Sequence, residues 1–223
     1  MNRPLLFVGA GGLAREALAA ARALPDVWRP IGMLDDAPEC HGSEVDGLPV
    51  LGPTALVHEY TDAAVLVCVA NSARPAGRRN LVGRLGLSAD RYATLIHPDA
   101  SIAPGVTFGE GTLVLARAVI TAPQHVGAHV VVMPMVLFTH DDAVGDFSTF
   151  AGRATLSGNV AIGEAAYLGT GSLVREGVRI GAEAVIGMGA AVLFDVPDGE
   201  TWVGVPAKKL RHGAPSGGAA QPP

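Results

Sequence analysis

The residues best suited to chemistry in this 223-residue chain stand together at Thr139-His140-Asp141-Asp142. A histidine beside carboxylates can be held in one orientation and used as a general base near neutral pH, where imidazole changes charge. The same residues also suit a surface turn, so this stretch alone leaves both readings open. Other polar interruptions are Gln124-His125 with His129, then Arg153, then Arg175-Glu176. His41, His58 and His212 fall in expected loops or the tail. No group of these residues, Cys40 and Cys68 included, has the types and spacing of a structural zinc site, so no metal is expected. A serine hydrolase would need a nucleophile elbow, and none is present.

What must position these residues is the segment they interrupt, Ile96 to Pro197. Stepping in sixes from Ile96 through Ile102, Phe108 and Val114 to Val192 meets Ile, Val, Leu or Phe seventeen times without a slip. Those four types make up 61 of the 223 residues, so chance does not produce the run. Four residues after most of these positions stands something small or β-branched, such as Ala100, Thr112, Ala118, Ala154 or Ser172. Asp142 occupies such a slot. One inward aliphatic and one inward small residue per hexad specify short strands, three to a coil, in a triangular β-solenoid. A helix would show period 3.6 and a flat sheet simple alternation. Residues 18 apart then stack on neighbouring coils, about 4.8 Å apart. Gly158 falls one coil from His140, and Glu176 two. A glycine N–H beside an imidazole can steady a developing oxyanion.

Residues 1–95 read differently. A strand over residues 4–9 leads through Gly9-Ala10-Gly11-Gly12 into a helix from Leu13 to Leu24. Such a turn offers free N–H groups to a phosphate, and it also needs glycine for purely steric reasons. A second strand, Pro30–Leu34, ends in Asp35-Asp36, which suit a ribose or base edge or simply open the following loop. Ala63–Ala70 reads as a buried parallel strand. Asn71-Ser72 is placed to cap a helix carrying Arg74, Arg78, Arg79 and Arg84, a set that fits phosphate or a solvated basic face. The alternation specifies a small Rossmann-like α/β domain with a parallel sheet. The second domain, 96–211, is the solenoid, and the Gly-, Ala- and Pro-rich residues 212–223 suggest a disordered tail.

Composition narrows the classes. A net charge of −5 gives no nucleic-acid footprint, and no apolar run reaches the length of a membrane span. With no secretory leader at the N-terminus and only two cysteines, a cytoplasmic location is expected.

Several motifs together carry a resemblance: Gly9–Gly12, Leu34-Asp35-Asp36, Ile96-His97-Pro98, and His140-Asp141 with Val144-Gly145-Asp146-Phe147. To these are added Asp195-Val196-Pro197 and Val203-Gly204-Val205-Pro206-Ala207. Over residues 3–211 the chain resembles sugar O-acyltransferases of the sialic acid O-acetyltransferase type, which include N-acetyltransferases of nucleotide-linked 4-amino sugars. The resemblance implies a left-handed parallel β-helix, an acetyl-CoA donor, and a homotrimer with active sites between adjacent solenoids. It implies His140 as general base, Asp141 as its carboxylate neighbour, and the Gly158 amide against the thioester oxygen. Thr170, Gly187 and Met188 would follow the pantetheine arm, and Lys208 would meet CoA phosphates. Gly11, Gly12 and the adjoining Leu13 would meet the acceptor's pyrophosphate, and Asp35 and Asp36 its base. Two positions depart from the pattern: Leu13 stands where many relatives have histidine, and Thr149 where many have a second one. N-acetylation of a nucleotide amino sugar is the leading expectation, ahead of sugar O-acetylation. A non-catalytic trimeric nucleotide-binding scaffold is the competing class.

Overall fold

The computed structural model describes residues 2–210; the expected tail, 212–223, lies outside them. The hexads become seventeen two-residue strands, from Leu95–Ile96 to Ala191–Val192, and the repeating aliphatic is the second residue of each. From Val114 to Val192 every one of those aliphatics is buried. Partners lie 18 residues apart and run parallel, as when Ile120 pairs with both Ile102 and Phe138. Three faces result. The first contains Leu95–Ile96, Val131–Val132 and Thr149–Phe150; the second contains Leu137–Phe138 and Thr155–Leu156; the third contains Ala143–Val144 and Ala161–Ile162. The chain is a β-helix with an aliphatic core, in which Phe138 and Phe150 pack edge to face at 4.6 Å.

After Val192 the pairing interval drops from 18 to 16 residues, with Ile180 bridging Val196 and Val185 pairing Thr201. A hairpin of Thr201–Val203 with Lys208–Lys209 then closes the coil end, and Trp202 packs against the core. A solenoid's last coil needs such a cap, because nothing else covers its apolar cross-section.

The first domain is a five-stranded sheet of order β3-β4-β2-β1-β5. Its strands are β1 (Arg3–Val8), β2 (Trp28–Leu34), β3 (Glu44–Val45), β4 (Leu48–Gly52) and β5 (Ala64–Val67). All pairs are parallel except β3 with β4. Helix α1 (Gly12–Arg22) buries Ala14, Ala17, Leu18, Ala20 and Ala21. Leu5, Phe7 and Ala17 share one core with Leu95, Leu113, Leu115 and Val131, so this domain packs on the outside of the solenoid's first face. Leu95 belongs to that shared core, whereas its neighbour Ile96 packs into the solenoid.

Two expectations change here. Asn71 does not cap a helix: its Oδ1 accepts from Ala73 N in a local turn, and α2 begins only at Gly77 and ends at Leu85. Arg74 precedes Pro75, which disfavours helical geometry at that point. The arginines of this segment are also not one solvated face. Arg78 is 2 % exposed and donates to the carbonyls of Val69, His129, Phe147 and Ser148 and to Thr149 Oγ1. Burial lowers its guanidinium pKa to about 10. Arg79 forks between Glu164 and Glu183, and Arg84 pairs with Asp36. Helix α2 thereby pins the first domain to the corner where the third face turns into the first.

Candidate active site

His140 and Gly158 occupy the third position of their hexads, on the corner between the second and third faces. In most coils this corner position has ordinary backbone geometry, and the next residue carries the left-handed φ, as at Asp141, Arg153 and Asn159. Gly158 itself has φ +95°, so two left-handed residues stand in succession there, Gly158 and Asn159. Only glycine adopts such a conformation at little cost. A Cβ at Gly158 would lie 3.0 Å from His140 Nε2 and 3.1 Å from Thr139 Oγ1. The coil period thus brings the imidazole and this glycine into contact. The flanking amides of Ser157 and Asn159 bond to Val174 and His140 carbonyls, while the Gly158 N–H has no partner among the described residues. The repeat's own backbone pairing leaves this position's N–H unused, which is why proline fits it at 98, 104 and 134, while Ala128 and Ala182 donate theirs to Asp146 and Asp198.

Asp141 Oδ2 lies 2.8 Å from His140 Nδ1, with both side chains largely exposed. If Nδ1 donates to the carboxylate, Nε2 is the nitrogen free to accept a proton, and it is the one facing Gly158. Asp142 is different, at 4 % exposed. Its Oδ2 accepts from Thr139 N and its Oδ1 from Val160 N. Burial raises its pKa, and those two N–H groups pull the other way. A cleft of about 770 Å³ begins at Asp142 and runs along the third face past Ala143, Ala161 and Arg179. Thr139 Oγ1, buried beside Gly158, has no partner among the described residues.

Thr170, Gly187 and Met188 lie on another corner, between the first and second faces. There Thr170 sits at the lip of a hollow of about 400 Å³ with Met135, Arg153 and Leu173, and Met188 is 81 % exposed. Within one chain, a full side of the triangle separates them from His140. Lys208 is exposed on the closing hairpin. Thr149 is buried, with its hydroxyl accepting from Arg78.

In the first domain, Gly9 has φ +106° and its Cβ would meet Cys68 O at 2.8 Å, a steric need met by glycine. Gly11 and Gly12 are another matter: a Cβ at either would meet nothing within 4 Å. They open on free space at the N-terminus of α1, which has no side-chain cap. Leu13, the next residue, packs partly into the core. Asp35 accepts from Ala10 N and Ala37 N and so braces the glycine turn, while Asp36 accepts from Thr54 N and Oγ1 and from Arg84. Both aspartates are engaged within the protein.

Sequence reasoning missed the double role of Asp142 and the burial of Arg78. A signal for the first was present, since Asp142 fills a slot that the repeat otherwise gives to small or β-branched residues. Nothing local marked Arg78, whose solenoid partners lie 51 to 71 residues away.

Among solved structures, the acetyltransferase domain of PglB from Neisseria gonorrhoeae FA1090 superposes with a TM-score of 0.83 at 33% identity, over 94% of this chain and 100% of that one. The chain belongs to the hexapeptide-repeat acetyltransferases. PerB from Caulobacter crescentus, solved with CoA and GDP-perosamine, superposes with a TM-score of 0.82 at 28% identity, over 93% of this chain and 97% of that one. A curated GDP-perosamine N-acetyltransferase of Escherichia coli O157:H7 is 30% identical over 137 residues, 61% of this chain and 61% of the relative's length. No family model matches the sequence. Among the described residues no helix is long and apolar enough to cross a membrane.

Proposed function

We propose that this chain transfers an acetyl group from acetyl-CoA directly to the amine of a nucleotide-linked amino sugar, with His140 as general base. The observation that carries the reading is His140 Nε2 within 3.0 Å of where a Cβ would stand on Gly158, whose own N–H has no partner among the described residues. His140 Nε2 takes a proton from the attacking amine as its nitrogen bonds to the thioester carbon. Negative charge gathers on the thioester oxygen, and the Gly158 N–H stabilises it; a donor of this kind typically contributes ~10²–10³ in rate. The C–S bond then breaks, His140 returns its proton to the departing thiolate, and the products are an amide and free CoA. Asp141 holds the imidazole so that Nε2 points at the reacting centre.

Acetyl-CoA in this reading extends from Gly158 along Thr170, Gly187 and Met188, with Lys208 near its phosphates. Because those residues and His140 occupy different corners, a complete site needs a second solenoid alongside, which fits a homotrimer with composite sites. Gly11, Gly12 and Leu13 at the start of α1 receive the acceptor's diphosphate, with Asp35 and Asp36 shaping the loop that faces its base. Two free thiols and the need for acetyl-CoA fit a cytoplasmic enzyme.

CoA thiol release measured over a panel of GDP- and UDP-linked 4-amino sugars, a sialic acid-type sugar and free amino acids tests this. Turnover is expected with a nucleotide 4-amino sugar. Turnover confined to a sugar hydroxyl would replace the reading by O-acetylation, and turnover confined to amino acids would replace the acceptor class. No release above background with any acceptor would leave a nucleotide-binding scaffold.

A further inference from the structure

We infer that Asp142 is a positioning residue, whose buried carboxylate holds the Gly158 turn in its unusual conformation and sets it against the His140 turn. This rests on the general-base reading of His140 above. The column of inward slots on this corner runs Val106, Gln124, Asp142, Val160, Val178, so the polar members are those at and just before the His140 turn. In many other turns the residue in this slot closes its own turn: Val106 N donates to Ala103 O, Ala118 N to Leu115 O, Val136 N to Met133 O, Ala154 N to Ala151 O and Val178 N to Arg175 O. The two turns that carry the chemistry lack this bond, as do those ending at Thr112, Gln124, Val130 and Ser148; a carboxylate acceptor in its place is found at Val160. Val160 N donates instead to Asp142 Oδ1 at 3.0 Å, and Asp142 N donates to Gln124 Oε1 at 3.0 Å.

The left-handed φ at Gly158 therefore coincides with the loss of its turn's closing bond, and the Asp142 carboxylate supplies the replacement acceptor. The other carboxylate oxygen accepts from Thr139 N at 3.1 Å, in the His140 turn itself. One buried side chain thus grips the backbone on either side of the His140–Gly158 contact. A charge is not needed simply to close such a turn, since the Thr112 hydroxyl accepts from Val130 N on another corner. Nor does stability account for it. Among the described residues no cation pairs with Asp142, and a buried carboxylate without one is destabilising compared with the valine of the two following coils, Val160 and Val178. A costly polar group beside a functional contact, where the repeat offers an apolar alternative, is the pattern expected of positioning rather than packing.

Asp142 is 4 % exposed and both its carboxylate oxygens are taken by backbone N–H groups, so its removal should act on kcat and spare KM. The test compares wild type with Asp142→Val, Asp142→Asn and His140→Ala, measuring steady-state acetyl transfer and thermal unfolding. Asp142→Val is expected to unfold at or above the wild-type temperature, keep both KM values within about twofold, and lose roughly 10- to 100-fold in kcat, the scale set by misplacement of a reacting group by about 1 Å. Asp142→Asn keeps one acceptor and should lose less. The inference is overturned if Asp142→Val turns over within twofold of wild type, or if its loss of rate merely follows a fall in unfolding temperature. Should Asp142→Val fail to fold, an Asp142→Asn protein with wild-type kcat overturns the inference equally. An active His140→Ala would instead bring down the general-base reading. An inactive His140→Ala beside a fully active Asp142→Val would remove only the role given to Asp142.

Discussion

His140 and His129 stand on adjacent corners of one solenoid, eleven positions apart, and the protein treats them in opposite ways. The His129 ring is 3 % exposed and lies between Tyr92, edge-on at 4.5 Å, and Phe147, stacked at 5.0 Å. Its backbone carbonyl receives Arg78, so the residue is part of the joint between the two domains. Burial lowers its pKa to about 4. The His140 side chain is 64 % exposed, has a carboxylate on one nitrogen and presents the other to Gly158. The difference comes from what covers each corner. Helix α2 seals the corner of His129, and the His140 side chain is left exposed on its own corner. In a repeat protein every corner has nearly the same backbone, so function is assigned by what the flanking domain leaves uncovered.

The largest effect that sharpens this contrast is an acid sensitivity assigned to His129. Its folded pKa is depressed, so between pH ~6.5 and ~4 the unfolded chain takes up a proton that the native ring refuses. Stability should therefore fall as pH drops through that window, by about 3 kcal/mol in all. Urea unfolding of wild type and His129→Phe across pH 7 to 4 would show it as a difference in slope between the two proteins. Equal slopes would mean that this ring is not held neutral by burial. A smaller effect is expected at Asp141. Its pair with His140 is exposed on both sides, and such pairs contribute about 0–1 kcal/mol. Asp141→Asn should accordingly lower kcat no more than about fivefold, with unfolding unchanged; a loss of several hundredfold would make Asp141 an essential partner.

Much of the solenoid was legible because its constraint is one-dimensional. A narrow core admits one aliphatic and one small residue per hexad, so the period, the parallel stacking of Ile120 on Ile102, and the meeting of His140 with Gly158 all follow from counting. The place where the repeat ends was legible too, at Val192. What counting did not reach depends on contacts between remote segments. Arg78 looks in sequence like one of several arginines on an amphipathic helix, and only the solenoid carbonyls opposite it explain its burial. Asp35 and Asp36 follow a strand as ribose-binding acids would, yet each is bonded within its own domain. The reversal of φ at Gly158 was hidden as well, because Gly152 holds the same third hexad position without it.

We propose above that the exposed imidazole at position 140 accepts the proton during acetyl transfer. Single-turnover transfer from acetyl-CoA by His140→Ala, with the fold checked by its unfolding temperature, tests it most directly when free imidazole is added in steps. The expected rate is about 10²- to 10⁴-fold below wild type and climbs with the concentration of neutral imidazole. A His140→Ala protein that transfers acetyl at the wild-type rate without imidazole would contradict it.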